Sequence, residues 1–261
     1  MALSHNILHF DAILGANDLV FDDSFHLNEL VDDDAERKIT QEAASRYQRV
    51  ESVMVLSPRN RSGRLSAQEL NFRIQELVNP MTDGKLSLPY SGRNRLRDGD
   101  RVMVTQNDRH MDVSNGDVGT LHLSKFRPPE RLYWRGTEVK WLVSARIEME
   151  DGRCPEWILH EEERLPNVDM AYALTVHKSQ GSEYDTVLFA FSNSMGMLRY
   201  RNIVYTAISR ARERVIIYGS EQALDIALRK GPPPRNCTLI DKYEAECRKL
   251  QKEKPALQPA S

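Results

Sequence analysis

The densest group of chemically able residues runs from Ala171 to Glu183, as Ala-Tyr-Ala-Leu-Thr-Val-His-Lys-Ser-Gln-Gly-Ser-Glu. Its small residues allow close backbone approach, while Thr175, His177, Lys178, Ser179 and Gln180 crowd donors onto a turn expected between a helix and the next strand. Such a turn can hold phosphate oxygens; the competing reading is helix-end and turn residues that serve no ligand. A second stretch reads Tyr205-Thr-Ala-Ile-Ser-Arg-Ala-Arg-Glu-Arg214. At 100° per residue, Ile203, Val204, Ala207, Ile208 and Ala211 share one face of a helix predicted over about 199–212, and Arg210 falls at its border near Thr206. An arginine held there by packing can stabilise charge building on a transferred phosphoryl group. The alternative is that its aliphatic stem simply covers the edge of a core.

Several elements must position these residues. Ile7, Leu8, Ile13 and Leu14 have helical spacing, and Leu19-Val20-Phe21 reads as a short strand ahead of Asp22-Asp23. Asp32-Asp33-Asp34 supplies an acidic first turn to a helix running to about Tyr47. Val53–Leu56 is a buried-strand pattern ended by Ser57-Pro58. Ser66 and Glu69 have capping-box spacing ahead of Leu70, Ile74, Leu77 and Val78, and that helix stops at Asn79-Pro80. Strands are expected again at Thr186–Phe191 and Val215–Tyr218. Alternating helices and apolar strands argue an α/β layered domain.

Between about 95 and 166 the pattern changes. Arg101–Thr105, Val118–His122 and Val139–Val143 are β-prone runs separated by Asn115-Gly116-Asp117 and Arg127-Pro-Pro-Glu130, with a later turn at Asp151-Gly152. The expected organisation is therefore residues 1–94 and 167–231 as two parts of one α/β domain, residues 95–166 as a small β-barrel insertion, and 232–261 as a helical or flexible tail.

An apolar fraction of 40% in 261 residues is enough for a real core. With 36 Lys+Arg against 38 Asp+Glu, no global positive field announces nucleic acid. The charge is uneven: residues 1–56 hold 11 acidic and 4 basic side chains, and residues 57–101 hold 5 and 9. One anion-facing surface fits that asymmetry, as do ordinary solvated faces. Cys154, Cys237 and Cys247 match neither a disulfide framework nor a CxxC metal pair, so a reducing, cytoplasmic setting and no metal site are expected. No signal peptide or membrane-spanning run is read in the sequence.

The two opening stretches taken together resemble motifs V and VI of superfamily 1 helicases, specifically the RecD-like (exonuclease V alpha subunit) group. Val55-Leu-Ser-Pro-Arg-Asn-Arg61 with Leu70-Asn71 resembles that group's motif IV region, and Gly99-Asp-Arg-Val-Met103 with Asn107 and Asn115-Gly-Asp-Val-Gly119 resembles its Src-homology-3-like insertion. The resemblance covers about residues 4–219. It implies a second RecA-like motor domain, a parallel sheet with flanking helices, interrupted by the small barrel. It further implies that Arg210 contacts a γ-phosphate, that Arg59 or Arg61 does likewise, and that Gln180, Gly181 and Glu183 line the nucleotide, Glu183 at the ribose. Thr175, His177 and Lys178 match positions near single-stranded DNA. Ser209 stands where the group often has threonine.

The glycine-rich phosphate loop, its lysine and a magnesium-holding acidic pair are not found in these residues. Gly84-Lys85 is followed by Leu86, and Leu19-Val-Phe-Asp-Asp23 imitates the end of a Walker B motif with no phosphate loop to serve. The expectation is the C-terminal motor half of an ATP-dependent DNA helicase, by resemblance moving 5′ to 3′ and acting in repair or recombination. ATP with Mg2+ would be held mainly by an N-terminal motor domain, and the chain alone would be inactive. It would be either an excised piece of a longer protein or a natural truncation. A different class is also consistent: a non-catalytic nucleic-acid or protein-binding module in which the β insertion does the work, a reading motivated by the basic residues Arg93, Arg95, Arg97 and Arg101. A degenerate relative serving as a scaffold is the third reading.

Overall fold

Val53–Leu56 and Val187–Phe191 are apolar on both alternating faces, so each needs cover on both sides. In the computed structural model, which describes residues 24–92, 94–134 and 137–231, they become the buried strands at the heart of a five-stranded sheet. Its elements in chain order are β1 (Phe25–Glu29), α1 (Asp32–Gln48), β2 (Val53–Ser57) and α2 (Ala67–Val78). After a long β segment come β12 (Ala173–Thr175), β13 (Tyr184–Phe191), α3 (Arg201–Ile208), β14 (Ala211–Gly219) and α4 (Glu221–Arg229). The order across the sheet is β1-β14-β13-β2-β12, with every pair parallel.

Strand succession runs one way from β1 through β2 to β12 and reverses from β13 to β14. Right-handed crossovers therefore place α1 and α2 on one face and α3 on the other. The packing agrees, with α1 against α2 and α3 against α4. Phe189 and Phe191, stacked at 5.1 Å, belong to the core between the layers. α2 is capped as its sequence predicts on one side only. Ser66 Oγ accepts the Glu69 N–H at 3.3 Å, while the Glu69 carboxylate turns to Arg73 and the Ser66 N–H goes to the Gly63 carbonyl.

The β segment holds β3 (Ser87–Ser91), β4 (Asn94–Arg97), β5 (Arg101–Val104), β6 (Val118–Phe126), β7 (Leu132–Trp134), β8 (Thr137–Val139), β9 (Leu142–Met149), β10 (Glu156–His160) and β11 (Val168–Met170). Five of these form an antiparallel sheet ordered β10-β9-β6-β5-β11, and β3-β4 and β7-β8 are hairpins. Alternating burial along β6 is what a sheet with one wet face requires. Leu88 and Leu96 bring the β3-β4 hairpin into the same apolar cluster as Leu121, Ala145 and Ile147. The strands thus run from Ser87 to Met170, wider than the 95–166 span read from the sequence.

Three expectations about single elements are corrected. The segment after Met170 does not begin as a helix: Ala173–Thr175 pairs in parallel with Val55–Ser57, because small residues fit a strand pressed beneath α2. The helix expected over 199–212 ends at Ile208. There the Ser209 and Arg210 N–H groups bond back to Tyr205 and Ala207, and the chain enters β14 to pair with β13 and β1. The run at 139–143 also divides, with Lys140 and Trp141 between β8 and β9. The expected helix at 5–16, strand at 19–21 and tail at 232–261 lie outside the described residues.

Candidate functional site

Because β12 and β13 are parallel, residues 176–183 must carry the chain from the C-terminal end of one to the N-terminal end of the other. The path begins with the Val176 N–H on the Ser57 carbonyl at 3.0 Å. Ser179, fully buried, donates its hydroxyl to the Val176 carbonyl at 2.9 Å. Gly181 at φ +93° makes the final turn, a conformation that disfavours any Cβ. The path ends with the Tyr184 N–H on the Arg210 carbonyl at 2.9 Å. Of the residues on this path, Ser182 meets the Arg210 side chain, at the N-terminal edge of the sheet.

The Arg210 guanidinium donates to the Thr206 carbonyl at 3.3 Å, the Ser182 carbonyl at 3.4 Å and Ser209 Oγ at 3.2 Å. Those contacts are long and all to neutral acceptors, and among the described residues no carboxylate pairs with this cation. An always-charged group fixed by packing and lacking a counterion is suited to receive an anion. Glu183 instead meets Arg212 at 3.3 Å, both side chains more than half exposed, so the pair is weak. Beside this turn a cavity of about 340 Å³ opens against the β segment, lined by Ser182, Glu183, Arg101, Asp117 and Arg153. Arg101 Nε is buried there without a hydrogen-bond partner.

The opposite, C-terminal edge gathers the other candidates. Arg61, Thr175 and Lys178 line a cleft of about 80 Å³ together with Gln68, Tyr90 and Arg164. Lys178 Nζ pairs with Asp169 at 2.7 Å, and the Lys178 N–H donates to Thr175 Oγ1 at 3.3 Å. Arg164 lies 5.5 Å over the Tyr90 ring. Arg61 is exposed with no hydrogen bond or ion pair among the described residues. His177 is exposed on the turn and does not line the cleft. Arg59 folds back, donating to the Ser62 carbonyl at 3.3 Å and the Ser194 carbonyl at 2.5 Å. That second bond bridges the loops after β2 and β13, over the crevice where open α/β sheets commonly take ligands.

The expectation that Arg59 or Arg61 shares one phosphate with Arg210 is therefore not met. Val53 of β2 lies level with Thr186 near the start of β13, so Arg59 and Arg61 follow the far end of β2. Strand rise puts the two edges roughly 20 Å apart, too far for a single phosphoryl group. Sequence reasoning also missed Tyr90 and Arg164, which come from the β segment and reach the cleft through tertiary packing. Only their types, an aromatic and a cation, were visible. Of the basic residues credited to the insertion, Arg93 lies outside the described residues and the other three are engaged. Arg95 bonds Ser87, Arg97 bonds Asn79 and Glu76, and Arg101 bonds Glu150.

Comparison with known proteins gives this geometry its class. Residues 170–218 match the UvrD-like helicase C-terminal domain, and residues 70–126 match the SH3 domain of ATP-dependent RecD-like DNA helicases. The chain is 33% identical over 195 residues to the ATP-dependent RecD2 DNA helicase of Deinococcus radiodurans, which covers 74% of this chain and 24% of that protein. It is 27% identical over 173 residues to the RecD subunit of the RecBCD enzyme of Mycobacterium tuberculosis, covering 65% and 25%. A solved structure of Bacteroides Pif1 bound to ssDNA aligns with 77% of this chain and 46% of that one, at 18% identity and a TM-score of 0.42. The chain belongs to the RecD-like superfamily 1 helicases and corresponds to the C-terminal half of their motor. It spans about a quarter of the length of these two curated relatives.

Proposed function

We propose that the chain is the second motor half of an ATP-driven DNA translocase, with its two sheet edges serving two ligands. The N-terminal edge closes on ATP and Mg2+ held mainly by an N-terminal motor domain, and Arg210 meets the charge that builds on the γ-phosphoryl group as an arginine finger. Gln180, Gly181 and Glu183 line the same nucleotide. The C-terminal edge follows the backbone of single-stranded DNA through Arg61, Thr175, Lys178 and Arg164, with His177 beside them. Movement from 5′ to 3′ and a role in repair or recombination, in a cytoplasmic setting, belong to the same reading.

The observation that carries the proposal is the state of Arg210, packed against the 176–183 turn yet bonded only to neutral acceptors. The purified 261-residue chain is expected to show no DNA-stimulated ATPase. Turnover that survives rigorous purification and vanishes in Arg210→Ala would overturn the division of labour. A binding module centred on the β segment has less support, since Arg95, Arg97 and Arg101 each have an internal partner, while Arg93 lies outside the described residues.

A further inference from the structure

Asn71, Gln75 and Asn79 lie four residues apart on α2 and at its cap, so their side chains share one face. All three are buried, at 7%, 2% and 8% exposure, on a face that could as readily be apolar. Each amide is bonded to one of the two places where the chain crosses between the parallel sheet and the β segment. On the outgoing crossing, the fully buried Asp100 carboxylate accepts from Gln75 Nε2 at 2.5 Å, Asn79 Nδ2 at 2.7 Å and the Arg97 N–H at 2.7 Å. On the return crossing, Asn71 Oδ1 accepts the Tyr172 and Ala173 N–H groups, both at 2.9 Å. Its Nδ2 donates to the Ala173 carbonyl at 2.6 Å and the Ala67 carbonyl at 2.9 Å. That fills the hydrogen-bonding capacity of the amide.

Tyr172 ties the two crossings together. Its hydroxyl donates to Asp100 at 3.1 Å, and its carbonyl accepts the Tyr47 hydroxyl of α1 at 2.8 Å. Three residues later comes Thr175, and six later Lys178. The other wall of their cleft, Tyr90 and Arg164, belongs to the β segment. The ladder therefore sits where the relative placement of the two walls is decided. A fully satisfied buried network rigidifies its surroundings, and breaking one member strands the others.

We propose that Asn71, Asp100 and Tyr172 are positioning residues that hold the Thr175–Lys178 wall in register with the Tyr90–Arg164 wall, so that one backbone of single-stranded DNA meets both. The inference rests on reading that cleft as the DNA surface. Asn71→Ala removes the clamp on Tyr172 and Ala173, and Tyr172→Phe removes a single hydroxyl and carries the test if the first variant does not fold. Ile74→Val, on the same helix but outside the ladder, is the control for simple loss of stability.

Two readouts on the 261-residue chain keep the claims separate. Amide hydrogen exchange in Asn71→Ala should rise about tenfold or more over 172–179 while β13 and β14 stay protected, with Tyr172→Phe smaller in the same direction and Ile74→Val showing no local rise. Titration with an oligodeoxythymidylate should show Asn71→Ala binding more weakly, with a salt slope reduced by about 0.7, one single-strand phosphate contact, and Ile74→Val keeping the wild-type slope. Exchange that is unchanged over 172–179, or that rises evenly through the chain as in the control, would overturn the positioning role. A wild-type chain that does not bind the oligonucleotide would overturn the DNA assignment of the cleft, and exchange alone would then decide whether the ladder places the loop.

Discussion

The two edges of the parallel sheet are built from the same connection, residues 176–183, yet they handle charge differently. At the N-terminal edge one guanidinium, Arg210, is packed among neutral acceptors and held in one place. At the C-terminal edge the cations are distributed: Arg61 is exposed, Lys178 is paired with Asp169, and Arg164 rests on Tyr90. A single fixed cation suits charge that develops at one point, as in phosphoryl transfer. Several adjustable cations suit a polyanion that must be gripped and released along its length. The sheet between them, with β13 buried along nearly its whole length, is a stiff spacer between the two edges.

The largest expected effect is at the fixed cation. In a full-length helicase containing this chain, Arg210→Ala should lower ATP turnover by about 10³ with DNA affinity nearly unchanged, which steady-state hydrolysis at saturating DNA would measure. At the distributed edge, Arg61→Ala or Lys178→Ala should each weaken oligodeoxythymidylate binding several-fold and lower the salt slope by about 0.7, with turnover at saturating DNA retained. Equal loss of turnover in those variants would erase the distinction. Gly181→Ala should destabilise the chain by about 1 kcal/mol in a denaturant titration, because φ +93° strains a Cβ even where space is open.

The smallest expected effect concerns pH. Burial, acting against four hydrogen bonds, holds the Asp100 carboxyl above its ordinary range. Between the ordinary value and the raised one, the folded chain keeps a proton that the unfolded chain has released. This contribution to stability is therefore fully present below the ordinary carboxylate value and is lost as pH rises through the raised one. Melting of wild type and Asp100→Asn through that window should give a difference that changes with pH and then levels off; a difference flat throughout would contradict it.

Much of this was legible in the residues. The continuous apolar runs at 53–56 and 187–191 specified the central strands, Ser66 specified the start of α2, and the pairing of the 171–183 and 205–214 stretches specified the family. What the sequence hid was the separation of the two edges. Lys178 and Glu183 are five residues apart, and nothing in that spacing reveals a path that climbs the height of a sheet. The end of α3 was hidden for a related reason: Ala211 fits the helical face of Ile203 and Ala207 as well as it fits a strand. The cleft wall formed by Tyr90 and Arg164 depends on how the β segment docks, which the amides on α2 decide through contacts spanning about a hundred residues.

A double-mutant cycle over the two edges tests the central claim most directly. Turnover and oligodeoxythymidylate affinity would be measured in the full-length helicase for wild type, Arg210→Ala, Arg61→Ala and the double variant. The expected result is that Arg210→Ala carries the turnover loss, Arg61→Ala carries the affinity loss, and the double variant shows both within about 0.5 kcal/mol of additivity. Loss of DNA affinity in Arg210→Ala, or loss of turnover at saturating DNA in Arg61→Ala, would contradict the assignment of separate ligands to the two edges.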